Sequence, residues 1–289
     1  MTLLRVGTRT SDLALTQAKA AAQAIVDNSP ELDGYDIVGI TTRGDVDRAS
    51  LAKIGGTGLF TSAVRQALLD GECDVVIHSA KDLPAANHPE LSLFYPPRVS
   101  PADVLCAKAP FSDLPEGAKV GTGSPRRAAQ LQAIRPDVTI VDIRGNVPTR
   151  LARIDDDLDA VILARAGLSR LSMDVGDDLP FEVMIPAAAQ GALAIETRRD
   201  SQWEAVLARI DDPSTRAAVS AERAFMSALG AGCTTPVGVI GEFAGAELRL
   251  RARYIGNGLS VEREVSGSDP QALAMELADQ FREAGVGTT

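Results

Sequence analysis

The chain has 289 residues and a mass of 30.3 kDa, beyond the roughly 100 to 200 residues of one domain, so two or three domains are expected. Apolar residues at 45%, charged ones at 24% and a mean hydropathy of +0.03 are globular values, which argue against a disordered or membrane-embedded chain. The net charge, 29 − 39 = −10, with a pI near 4.8, argues against a general nucleic-acid binder, which needs a basic face.

The first part of the chain alternates short apolar runs with helical patterns. Leu3 to Gly7 reads as a strand, Ala14 to Val26 as a helix, Asp36 to Ile40 as a strand, Leu59 to Leu69 as a helix and Asp74 to His78 as a strand, a βαβ rhythm. Pro96, Pro97 and Pro101 punctuate the join to a second unit of the same kind. There, Asp103 to Ala107, Val120, Thr139 to Asp142 and Ala160 to Leu163 read as strands, with helices after Ser124 and near Thr149. Met173 to Pro186 reads as the return crossing. After Asp212 come a long helix, Ser214 to Leu229, a glycine-rich loop, strands at Val237 to Phe243 and Glu247 to Tyr254, and a last helix from Pro270. The pattern predicts two α/β lobes with a cleft between them and a small C-terminal α+β domain. No apolar run reaches the roughly 18 residues of a membrane span. Arg5, Arg9 and Asp12 stand where a secretory leader needs its apolar core, so the expected location is the cytoplasm.

Gly121 to Arg127 gives the clearest local signal. Ser124 is a good N-cap and Pro125 suits the first helical position, so a helix begins there with Arg126 and Arg127 in its first turn. Cations at that end oppose the helix dipole by about 0.3–1 kcal/mol unless they and the free amide groups hold an anion. Two arrangements are open: both guanidinium groups meet on an anion, or both point to solvent. Downstream, Asp142 to Arg150 brings Arg144 and Arg150 to the carboxyl end of the next strand, where open α/β sheets bind ligands. Six Arg and two Asp lie between Ser124 and Arg153, a local balance of +4. Because the chain's overall charge is screened beyond roughly 8 Å, this cluster decides what binds, and it fits a ligand with several carboxylates or phosphates.

In the first lobe, Lys81 and Asp82 directly follow a strand. An acid beside a cation there can move protons or stabilise developing positive charge; it can equally be a turn residue before Leu83 and Pro84. His78 and His88 have no partners at ligand spacing, so no metal is expected. Cys73, Cys106 and Cys233 fit neither a disulfide framework nor a zinc site. The first two fall in or beside apolar strands; Cys233, between small residues in the loop Gly230 to Pro236, is the one attractive nucleophile. Gly55 to Gly58 lacks the Lys-Ser/Thr ending of a phosphate-binding loop and reads as a tight or mobile turn.

Eight motifs follow one another in order: Arg9 to Ser11, Thr42 to Asp45, Gly58 to Phe60, His78 to Asp82, Ser124 to Arg127, Arg144 to Asn146, Gln190 with Gly191, and Gly232 with Cys233. In this register the chain closely resembles the porphobilinogen deaminase (hydroxymethylbilane synthase) family from about residue 4 to the last helix. The resemblance implies two lobes like those of periplasmic anion-binding proteins: residues 1–97 with 192–212, carrying the catalytic acid, and residues 98–191, rich in arginine. Residues 213–289 would be the C-terminal domain, with a dipyrromethane cofactor joined to Cys233 by a thioether. It further implies a transferase that condenses four porphobilinogen molecules head to tail, losing ammonia each time, and releases hydroxymethylbilane for haem and other tetrapyrroles. By the family pattern Asp82 is the catalytic residue and also contacts the cofactor. Lys81, Ser124, Arg126, Arg127 and Arg144 are further cofactor contacts, and Arg9, Ser11, Arg144, Arg150 and Arg170 bind substrate carboxylates. The sequence departs from many relatives at Thr57, where they carry Lys, leaving Lys53 as the nearby cation, and at Asp12, Ala80 and Pro125. A monomer is expected, since no long apolar stripe calls for a partner. Competing classes are a non-catalytic anion receptor and a thiol hydrolase; Cys233 and the third domain argue against the first, and the absence of a neighbouring base against the second.

Overall fold

The computed structural model describes residues 2–41, 59–232 and 234–287. In chain order, β1 (Leu3–Arg9), α1 (Asp12–Asp27), β2 (Gly34–Ile40), α2 (Leu59–Leu69), β3 (Val75–Ser79) and β4 (Leu91–Phe94) come first. Next are β5 (Asp103–Ala107), β6 (Lys119–Gly121), α3 (Pro125–Ile134), β7 (Thr139–Val141), α4 (Val147–Ala152), β8 (Ala160–Ala164), α5 (Arg165–Arg170) and β9 (Asp177–Leu179). The remainder holds β10 (Leu193–Arg198), α6 (Trp203–Leu207), α7 (Pro213–Ala228), β11 (Val237–Ala244), β12 (Glu247–Gly256), β13 (Leu259–Gly267) and α8 (Pro270–Glu283).

The chain divides into two compact units, Met1–Arg98 with Ala192–Arg216, and Val99–Gly191 with Ala217–Thr289. The first contains a five-stranded sheet ordered β2-β1-β3-β10-β4. β1 is parallel to β2 and β3, while β10 runs antiparallel to β3 and β4. β3 is buried on both faces, as its continuous apolar run requires. Alternation along it sends Val75 and Ile77 toward Ala18, Ala22 and Ile25 of α1, and Val76 toward Val64 and Leu68 of α2.

The second unit contains a sheet ordered β7-β6-β8-β5-β9, with β6 parallel to β7 and β8, and β5 antiparallel to β8 and β9. The same unit holds the antiparallel meander β11-β12-β13. β12 alternates buried and less buried residues, and its inner face packs on α7 and α8 around Phe225 and Phe281, whose rings meet edge to face at 5.3 Å.

The two α/β sheets and the small α+β part are those the sequence predicts, with two corrections. The βαβ rhythm implies parallel sheets, yet both are mixed: β10 and β5 each run against a neighbour. Met173 to Pro186 is not the return to the first sheet. It carries β9, which pairs with β5, and the return is made by β10. Periodicity missed β9 because it spans three residues and β10 because its burial does not alternate, and it also gave no strand at β4 or β13. Among the described residues no helix is long and apolar enough to cross a membrane.

Candidate active site

β1 and β3 are parallel neighbours, so the loops that follow them leave the same edge of the first sheet. Arg9, partly buried, ends β1, and Ser11 is the exposed N-cap residue of α1, its side chain making no capping hydrogen bond. After β3 the chain enters a single 3-10 turn at Ala80–Asp82. Ala80 is buried, Lys81 partly buried and Asp82 exposed. Ser79 Oγ donates to Gln17 Oε1 at 3.1 Å and Ala80 N donates to Ala192 O at 3.0 Å, which fixes the root of the turn. Arg9, Ser11, Lys81 and Asp82 thus share one edge of one sheet.

In the second unit, β7, β6 and β8 are adjacent and parallel, and each delivers a polar group beyond its carboxyl end. Ser124 follows β6 and caps α3, its Oγ accepting from Arg127 N at 3.5 Å, with Pro125 in the first turn as predicted. After β7, Asn146 caps α4 by accepting from Thr149 N at 2.9 Å. Arg144 is exposed and only 3.5 Å from the equally exposed Asp142, a weak pair in water. Arg150 Nε donates to Gly145 O at 2.8 Å, across a glycine whose φ of 112° other residues avoid. Beyond β8, Arg170 at the end of α5 donates to Gly191 O at 2.9 Å, and burial brings its pKa down to about 10. The β6 and β7 loops touch at Gly123, where a Cβ would sit 2.8 Å from Ile143 O.

Of the two arrangements open from sequence, the solvent-pointing one is excluded for Arg126 and Arg127, which are both buried. Both fold beneath α3 onto Asp103, which is fully buried at the start of β5. Arg126 Nη1 lies 2.6 Å from Asp103 Oδ2, Arg127 Nε 2.8 Å from Oδ1, and Gln190 Nε2 adds a bond at 3.0 Å. Burial opposes this charge on Asp103, but the two guanidinium groups outweigh it and hold the carboxyl well below its usual range. Arg127 is lowered by burial and, despite Asp103, by the charges of Arg126 and Arg150. Arg150 is lowered by burial and by Arg144. Arg126, Arg127, Arg144 and Arg150 therefore form a chain of repelling cations, and Arg126 Nε is buried without a hydrogen-bond partner.

Residue-by-residue reading missed the buried acids. Glu196 on β10 accepts from Arg65 at 2.8 and 2.6 Å, with His78 Nε2 at 3.3 Å. Burial pushes its carboxyl up, but His78 and Arg65 bring it down to about 2. A lone acid in each of the buried strands Asp103 to Ala107 and Leu193 to Arg198 is the available signal that a buried cation lies opposite. Cys73 and Cys106 are buried in core clusters, and burial pushes both thiols up to about 11, which fits inert core residues. Cys233, Thr57, Lys53, the Thr42 to Asp45 motif and the Gly55 to Gly58 run lie outside the described residues.

A family model described as porphobilinogen deaminase, dipyromethane cofactor binding domain, matches residues 4–205, and one described as porphobilinogen deaminase, C-terminal domain, matches residues 216–283. The porphobilinogen deaminase of Cutibacterium acnes is 49% identical over 262 residues, covering 84% of this chain and 78% of that protein. That of Roseiflexus castenholzii is 43% identical over 295 residues, covering 98% of this chain and 96% of its own. Among solved structures, the Bordetella pertussis BvgS VFT2 domain is 16% identical, covers 72% of this chain and 86% of its own, and has a TM-score of 0.42.

Proposed function

This chain belongs to the porphobilinogen deaminase family, and we propose that it joins four porphobilinogen molecules head to tail and then releases hydroxymethylbilane by hydrolysis, in tetrapyrrole biosynthesis. The observation that carries this reading is the cation cluster at the carboxyl edge of β7, β6 and β8. Arg126, Arg127, Arg144 and Arg150 lie close together there, Asp103 ion-pairs with the first two and Asp142 lies 3.5 Å from Arg144, a donor set suited to a ligand with many carboxylates.

Each pyrrole of the substrate bears an acetate and a propionate, so a dipyrromethane with four added units carries about twelve negative charges. The exposed Arg144, the Ser124 cap and the buried Arg126 Nε that lacks a hydrogen-bond partner fit such a group; by the family pattern Ser124, Arg126, Arg127, Arg144, Lys81 and Asp82 would hold it and Cys233 would bind it through a thioether. When bound, the dipyrromethane supplies the electron-rich pyrrole on which the chain is built. Arg9, Ser11, Arg144, Arg150 and Arg170 would orient substrate carboxylates, charge-assisted bonds being worth about 1.5–3 kcal/mol each when partly desolvated.

In every condensation the aminomethyl C–N bond of porphobilinogen breaks, a C–C bond forms to the next pyrrole, and ammonia and the proton of the attacked carbon depart. Loss of ammonia leaves a cationic azafulvenium. Asp82, an exposed carboxylate on a turn with a buried root, would stabilise that cation at the pyrrole N–H and carry the proton away. We assign residues 1–97 with 192–212 to the lobe bearing this acid, 98–191 to the arginine-rich lobe and 213–289 to the domain bearing Cys233. The working form would be a cytoplasmic monomer.

Incubation of the purified protein with porphobilinogen tests the reading. Release of ammonia with formation of a linear tetrapyrrole supports it; binding without ammonia release would make the protein an anion receptor.

A further inference from the structure

The Asp82 turn is held at its root by buried polar groups on both faces of the first sheet. On the α1 face, Gln17, 5% exposed, accepts the Ser79 hydroxyl at 3.1 Å. On the other face, Glu196, 1% exposed, takes both Arg65 bonds through Oε1 and Oε2, and its Oε2 lies 3.3 Å from the buried His78 Nε2, in packing contact but outside hydrogen-bond geometry. β10 pairs with β3 up to the turn itself, Ala194 facing His78 and Leu193 facing Ser79, before Ala80 N reaches Ala192 O. Nothing in core stability demands an ion pair here. Well-packed apolar residues of similar volume often serve as well as a buried pair or better, whereas a charged fork fixes direction.

We propose that Glu196, anchored by Arg65 and acting through His78, is a positioning residue for Asp82: it sets the height and angle at which the turn presents its carboxylate. This rests on the catalytic role given to Asp82 above. Glu196 and Arg65 are both buried and are not among the proposed substrate or cofactor contacts. A displacement of about 1 Å at a reacting group can lower a rate by roughly a hundredfold, so a small shift at the root of the turn has a large effect at its tip.

The test uses the full-length chain carrying R65M with E196M, which replaces the pair by apolar side chains, and separately His78→Leu, which leaves the pair intact. Asp74→Asn is the control. It weakens the Arg5–Asp74 pair, 2.7 Å long, at the opposite end of β3 in the same sheet. Hydrogen exchange is followed in a peptide spanning residues 79–84, alongside global unfolding and steady-state kinetics. The proposal expects faster exchange in that peptide for the double variant and for His78→Leu, with kcat down roughly ten- to a hundredfold, KM within about twofold, and little global destabilisation of the double variant. The control loses stability but keeps kcat. Unchanged exchange at residues 79–84, or an unchanged kcat beside faster exchange, overturns the proposal. If the unmodified protein does not consume porphobilinogen, the functional reading fails instead, and the exchange measurement alone decides whether Glu196 orders the turn.

Discussion

Replacing Asp103 by Asn isolates the buried charge on which the arginine-rich unit is organised. Asp103 has no exposed surface and is 2.6 and 2.7 Å from the Arg126 and Arg127 guanidinium groups. An Asn side chain keeps one acceptor but turns an amide toward donors, leaving two buried guanidinium groups uncompensated. Breaking a buried pair in this way costs roughly 3–5 kcal/mol. In a unit of this size each kcal/mol moves the midpoint by roughly 2–4 °C, so thermal unfolding should drop by about 6–20 °C at pH 7. The pH dependence follows from the depressed folded pKa of Asp103. Its contribution is complete above the unfolded value of about 3.9 and is lost as pH falls from there toward the folded value, so wild-type stability should decline through that acid window. Circular dichroism melts of wild type and Asp103→Asn at pH 7 and between pH 4 and pH 2 measure both effects. A variant within about 1 kcal/mol of wild type at pH 7, with the same acid slope, would refute the assignment of Asp103 as the counter-charge of Arg126 and Arg127.

Other variants address the chemistry and the loops. Asp82→Asn keeps the shape of an exposed turn residue without its charge, so turnover should fall by roughly 10²–10⁴ while any mass added to the chain by the proposed cofactor is the same as in wild type; steady-state kinetics with intact mass decides. Arg144→Ala removes an exposed cation that is not needed for folding, and kcat/KM for porphobilinogen should drop about ten- to a hundredfold, with the melting temperature unmoved. Gly123→Ala forces a Cβ to within 2.8 Å of Ile143 O, and a chemical melt should show a loss of about 1–3 kcal/mol.

Local signals carried much of the fold. The Ser124 and Pro125 start of α3, the buried run of β3 and the helix Leu59–Leu69 each follow from residues adjacent in sequence. Strand direction did not. The residues of β10, Leu193 to Arg198, look the same whichever way the strand runs, and its antiparallel pairing with β3 and β4 makes the first sheet mixed. The same division holds at the site. Arg144, Arg150 and Asp82 follow strand ends and were legible as edge residues, because topology places them there. The burial of Arg126 and Arg127 was not, since the dipole argument concerns only the helix to which they belong. Their partner Asp103 lies on another strand, just as Arg65 meets Glu196 across 131 positions of sequence. Long-range ion pairs leave only a faint mark in a single sequence: an acid where an apolar residue would be expected.

If this chain builds tetrapyrrole on a dipyrromethane held at Cys233, as proposed, intact-mass measurement of the denatured, purified chain with peptide mapping around Cys233 should find added mass equal to two porphobilinogen units less two ammonia molecules on that cysteine. A chain without the addition, and still without it after incubation with porphobilinogen, would rule the proposed attachment out.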